Sequence, residues 1–181
     1  MKALFAVLIA LAVIAPPLCA QQPADILTQA EIDKVRELRY YPAECVLAFV
    51  KFLDLRTDEI TTLYAKPRRP GREQDTHDLL DQFTAIADEL SDNLDDYGPR
   101  HADLRRALPK ILEAADRWSV ALKSPPDNDA YNVSRKLALE SIRDLRESTT
   151  ELAADQAAWF KLHPPSKAPN TETAPPIDIP R

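Results

Sequence analysis

Between Cys45 and Tyr64 the chain reads CVLAFVKFLDLRTDEITTLY, its most apolar run outside residues 1–20. Wound as a helix at ~100° per residue, Cys45, Val46, Phe49, Val50, Phe52, Leu53, Ile60, Leu63 and Tyr64 share an arc of about 160°. Glu44, Lys51, Asp58 and Thr62 fall opposite. A stripe this wide predicts contact with at least two other helices. Two features break the pattern. Arg56 lies inside the apolar arc, where a charge must snorkel past Phe52 or Ile60 or meet an interhelical carboxylate such as Glu113 or Asp116. Leu47 and Leu55 lie on the polar side, so a short first helix or a partner should cover them, and they mark a candidate interface.

The same 3.6-residue period runs from about residue 28 to residue 162, with no long alternating strand pattern. Thr28-Gln-Ala-Glu31 reads as a capping box that opens a short helix to about Leu38. Pro42 disfavours helical geometry at Tyr41 and suits the first turn of the next helix, which should run to about Ala65. A third helix is expected from an Asp75 cap to Tyr97, its stripe made by Leu79, Phe83, Ile86, Leu90, Leu94 and Tyr97. Gly98 then supplies the C′ position and Pro99 blocks continuation. The fourth helix is expected over 101–123, kinked where Pro109 removes an amide, or else starting only at Pro109. The fifth is expected over about 128–162, with Tyr131, Ala138, Ile142, Leu145, Thr149, Leu152, Gln156 and Trp159 on one seam.

These elements predict an all-α fold: a mainly antiparallel, up-and-down four-helix bundle with a short extra N-terminal helix. At ~1.5 Å per residue the fifth helix approaches ~50 Å while the third and fourth reach about 35 Å, so its end should overhang. Trp159 lies on that overhang, which the first helix or a second subunit would have to cover.

The ends of the chain read differently. Residues 1–20 resemble a secretory signal: Lys2, an apolar run from Ala3 to Ile14, then Pro16-Pro17, with cleavage after Ala20. The apolar run is shorter than the ~20 residues a spanning helix needs, so no integral membrane span remains after cleavage. Lipid anchoring through Cys19 is the alternative, although the bulky Leu18 precedes it. Residues 21–27 form an extended leader, 28–162 the helical domain, and 163–181 a proline-rich tail expected to be disordered. Export would place the protein in a periplasmic or secreted setting.

Charge narrows the partners. The formal net charge is −6, which becomes −7 once Lys2 leaves with the signal. That argues against nucleic acid, which needs a basic face. The basic cluster of the mature chain, KPRRPGREQ at 66–74, reads as a solvated loop balancing acidic helices. Cleavage also removes Cys19 and leaves Cys45 alone, read as a buried thiol on the apolar arc, with an intermolecular disulfide as the alternative.

Little else suggests chemistry. No Glu-x-x-His pair supports a di-iron bundle, and no Cys-x-x-Cys-His supports haem attachment. Two glycines are too few for a phosphate-cradling loop. His77 and Asp81 stand four apart, but two ligands make no zinc site. The most distinctive surface is the acidic face of the 75–97 helix, where Asp88, Asp92 and Asp96 form a like-charge ladder. They are candidate metal ligands only if a second element adds oxygens. No cofactor is implied. The sequence thus points to a non-enzymatic module that binds a protein partner or forms a homodimer, with cation or small-ligand binding on helix 75–97 as the alternative.

Overall fold

A computed structural model describes residues 26–164 and Ile177. Every regular element among them is helical: α1 (Gln29–Leu38), α2 (Pro42–Ala65), α3 (Arg72–Tyr97), α4 (Leu108–Lys123) and α5 (Asn132–Leu162). Residues 1–25, on which the expected signal segment, its cleavage site and Cys19 fall, lie outside the described residues. So does most of the tail, except that Ile177 is partly buried against the core. No described helix is long and apolar enough to cross a membrane.

The first two helices begin where their residues demand. Thr28 and Glu31 form the full capping box, and Pro42 opens α2. α3 starts three residues before the expected Asp75 cap, because Gly71 turns the chain at φ +84° and frees Arg72 to enter the helix. Only glycine occupies that left-handed region without cost. Asp75 instead sits one turn in, paired with Arg69 at 2.5 Å.

At the far end of α3 the expectation for Gly98 fails. Gly98 stays right-handed (φ −56°), and the left-handed residue is His101 (φ 53°). Gly98 answers a different demand. A Cβ there would stand 3.2 Å from Leu152 Cδ1, so the missing side chain lets the end of α3 approach α5.

Of the two starts expected for the fourth helix, the one at Pro109 holds to within one residue and the one near His101 does not. α4 starts at Leu108 with Pro109 in its first turn, where no amide donor is needed, and the proline kinks nothing. Residues 98–107 are therefore an irregular connection. α5 begins later than 128, because Asn128 holds a turn with its side chain accepting from the Ala130 amide at 2.9 Å.

The principal packing pairs are α2 with α3, α3 with α5, α5 with α4, and α4 with α2, while α1 lies against α2. α3 and α4 follow each other in sequence without forming such a pair, so the 98–107 connection carries the chain across the end of the molecule. One continuous core results, with Trp118, Phe49, Phe52, Phe83 and Tyr131 its largest fully buried side chains. The opposite end is closed by a hydroxyl chain: Tyr64 donates to Tyr131 at 2.9 Å, and Tyr131 donates to the Pro126 carbonyl at 2.6 Å.

Candidate functional site

α5 outlasts its neighbours as expected, and what packs at its end is not α1. The 98–107 connection lies there. Gln156, 2% exposed, donates Nε2–H to the Ala102 carbonyl at 2.7 Å and accepts the Leu104 amide at 3.0 Å. One buried amide side chain thus satisfies two backbone groups of a segment without regular structure, which is why that segment can lie on the core. Beyond it, the His101 ring stacks on Trp159 at 3.5 Å and 8°, and His163 stacks on Trp159 at 3.8 Å. Arg105 lies 4.2 Å over the Phe160 ring.

Between this capped end and the last turns of α3 opens a cleft of about 650 Å³. Leu94, Leu152 and Leu162 supply its apolar lining, Trp159 closes one side, and Asp95, Glu151 and Asp155 stand at its rim. All three carboxylates are exposed, and among the described residues none forms an ion pair. Most other acidic side chains nearby are engaged: Asp96 with Arg100, Asp103 with Arg105, and Glu44 with Arg106. The cleft therefore combines an apolar floor with uncompensated negative charge, a surface suited to a cationic amphipathic segment.

The other candidate residues fall elsewhere. Asp88, Asp92 and Asp96 are exposed along the outside of α3 with no second element supplying oxygens. No group of three or more His, Cys, Asp or Glu able to hold a metal occurs among the described residues. Cys45 is 1% exposed, and burial pushes its thiol up, away from the reactive thiolate. The arginines of the 66–74 loop turn back onto α3, Arg68 pairing with Glu73 at 3.0 Å.

Arg56 is the largest correction. It neither snorkels nor meets Glu113 or Asp116, which pair with Lys110 and Arg146 instead. Its guanidinium bonds Glu31 at 2.6 and 2.8 Å, Gln82 at 2.9 Å and the Ile26 carbonyl at 3.1 Å. Burial alone would raise the Glu31 carboxyl, but Arg56 and the Thr28 amide outweigh it and hold it below the ordinary carboxylate value of 4.5. The capping carboxylate of α1 is thus also the counter-ion of α2. Leu47 and Leu55 are partly buried against the core. α1 grips α2 around Arg56, ~140° round the helix from Lys51.

Comparison with known protein families, curated proteins and solved structures finds no match. The functional reading therefore rests on the cleft. Its signals in the sequence were partial: Trp159 and Leu152 lie on the α5 seam and Asp95 on the acidic face. Their convergence depends on the 98–107 connection, which the periodicity disguised as helix.

Proposed function

We propose that this is an exported, non-enzymatic protein-interaction module that receives a basic, amphipathic segment of a protein partner in the cleft between α3 and α5. On this reading the four long helices form a four-helix bundle braced by α1, and removal of residues 1–20 delivers it to an extracytoplasmic compartment. The observation that carries the proposal is the pairing of apolar floor with unpaired rim. Leu162 is 76% exposed beside Trp159, while Asp95, Glu151 and Asp155 have no basic partner among the described residues. Apolar side chains of a partner helix would cover Leu152 and Leu162, and its lysines or arginines would meet the carboxylates.

The test is a titration of the mature chain with a fluorescein-labelled amphipathic Lys/Leu helical peptide and with its Glu/Leu counterpart, read by anisotropy. The cationic peptide should bind with an affinity of the order of micromolar, weakening as salt rises. The combined Asp95→Asn, Glu151→Gln, Asp155→Asn variant should lose at least about tenfold while keeping its helical circular dichroism, and the acidic peptide should not bind. Equal binding of both peptides, or no loss in the variant, would overturn the reading.

A further inference from the structure

Lys51 sits in the middle of the outward face of α2, and its Nζ donates to the backbone carbonyl of Ile177 at 3.0 Å. Ile177 is partly buried against the core, far along the sequence from α2. Leu47 and Leu55 stand one turn to either side of Lys51, within ~40° of it on the helix surface. Both are partly exposed leucines that neither Arg56 nor α1 accounts for. We propose that the Leu47–Lys51–Leu55 face is a docking site for a proline-flanked extended segment, and that its occupant is the chain's own C-terminal stretch 175–180, anchored at Ile177.

The chemistry of the segment suits the role. Its sequence is Pro175-Pro176-Ile177-Asp178-Ile179-Pro180. Proline fixes φ near −65°, so such a stretch has few conformations to lose on docking. An extended chain leaves its carbonyls unpaired, and a lysine on a long flexible stem is a natural donor to one of them. The isoleucine side chain would cover the flanks of the two leucines that the core leaves exposed.

The tether decides whether so small a contact is populated. One partly buried isoleucine and one hydrogen bond give a free peptide an affinity no better than the order of millimolar. The roughly 15 residues between the end of α5 and Ile177 hold the segment at an effective concentration that is itself in the ~millimolar range. Docking in cis is therefore sustained where docking of a dilute free peptide is not. Any partner that reaches this face of α2 must first displace the tail.

Methyl-labelled mature chain provides the test by NMR. Ile177 methyl protons should show contacts to those of Leu47 or Leu55, and the Ile177 amide should be less mobile than that of Glu172. Ile177→Asp should abolish both and shift signals of residues 47–55, leaving those of α4 and α5 in place; Lys51→Glu should free the tail likewise. A synthetic peptide of residues 173–181, added at millimolar concentration to the Ile177→Asp chain, should restore the α2 signals, and its Ile177→Asp version should not. An Ile177 as mobile as Glu172, with α2 signals indifferent to both substitutions, would overturn the proposal. So would α2 signals that depend on protein concentration, since the occupant would then be the tail of a second copy.

Discussion

Arg56, only 5% exposed, is held by its whole guanidinium fork: Glu31 takes two bonds, and Gln82 and the Ile26 carbonyl take the others. Breaking such a pair from one side leaves an uncompensated buried charge, which costs about 3–5 kcal/mol, whereas replacing both partners by apolar groups is often far cheaper. Arg56→Met or Glu31→Gln alone should therefore lower the urea-unfolding free energy by roughly that amount. Arg56→Met with Glu31→Leu should cost clearly less than the two single losses combined, and simple additivity would refute the pairing. Charge reversal at Lys51, on the surface, should change stability by under about 0.5 kcal/mol. The pH dependence has a definite sign. Glu31 titrates lower in the folded chain than in the unfolded one, so its contribution is complete at neutral pH and is lost as pH falls below 4.5 through the lowered folded value. Glu31→Gln should flatten the stability curve over roughly pH 5 to pH 3. At Thr149 the opposite substitution helps. Its buried hydroxyl has no hydrogen-bond partner, and valine has the same shape without the polar atom. Thr149→Val should raise the unfolding free energy by about 1 kcal/mol, and a measured loss would mean the hydroxyl is satisfied.

Among the elements, α2 was readable almost to the residue because Pro42 fixes its start and its apolar arc is continuous. α4 was not. Leu104 continues the 3.6-residue period of α4 backwards from Leu108 by coincidence, both being buried, yet Leu104 is buried from an irregular segment. Periodicity reports burial, and it reports helix only where hydrogen bonds are local. Here the Leu104 amide bonds Gln156, fifty-two residues away. The partner of Arg56 was hidden for a related reason: Glu31 already had a complete local role in the capping box, and nothing in sequence advertises a second one. The dependence of 98–107 on Gln156 makes a sharp expectation. Gln156→Leu keeps the volume but leaves the Ala102 carbonyl and the Leu104 amide without a partner, at about 1–3 kcal/mol for each buried group. Urea denaturation should register a loss of roughly 2–6 kcal/mol, and hydrogen exchange at the Leu104 amide should accelerate while that of Trp118 does not.

At the scale of the whole molecule, the question is whether the cleft end belongs to the same cooperative unit as the core. Leu104 and Ala107 of the connection belong to the same buried cluster as α2, α3, α4 and α5, and a domain of this size with one core usually unfolds as one unit. The tryptophans are placed to report the two regions separately. Trp118 is fully buried in α4, packed edge-on to Phe83 and donating to Asp54 at 2.7 Å. Trp159 sits in the histidine stack at the cleft. In Trp118→Phe and Trp159→Phe chains, each retaining one fluorophore, the urea transitions should coincide with each other and with far-ultraviolet circular dichroism, after allowance for the stability each substitution removes. Adding Gln156→Leu should separate them, with the Trp159 signal changing at lower urea than the Trp118 signal, because the connection then opens before the core. Coincident transitions in the Gln156→Leu chain would show that the aromatic stack, and not the buried amide, holds the end of α5. A Trp159 transition already separate in the otherwise native chain would make the cleft a locally unfolding region, and the partner-binding surface would then have to be ordered by the partner itself.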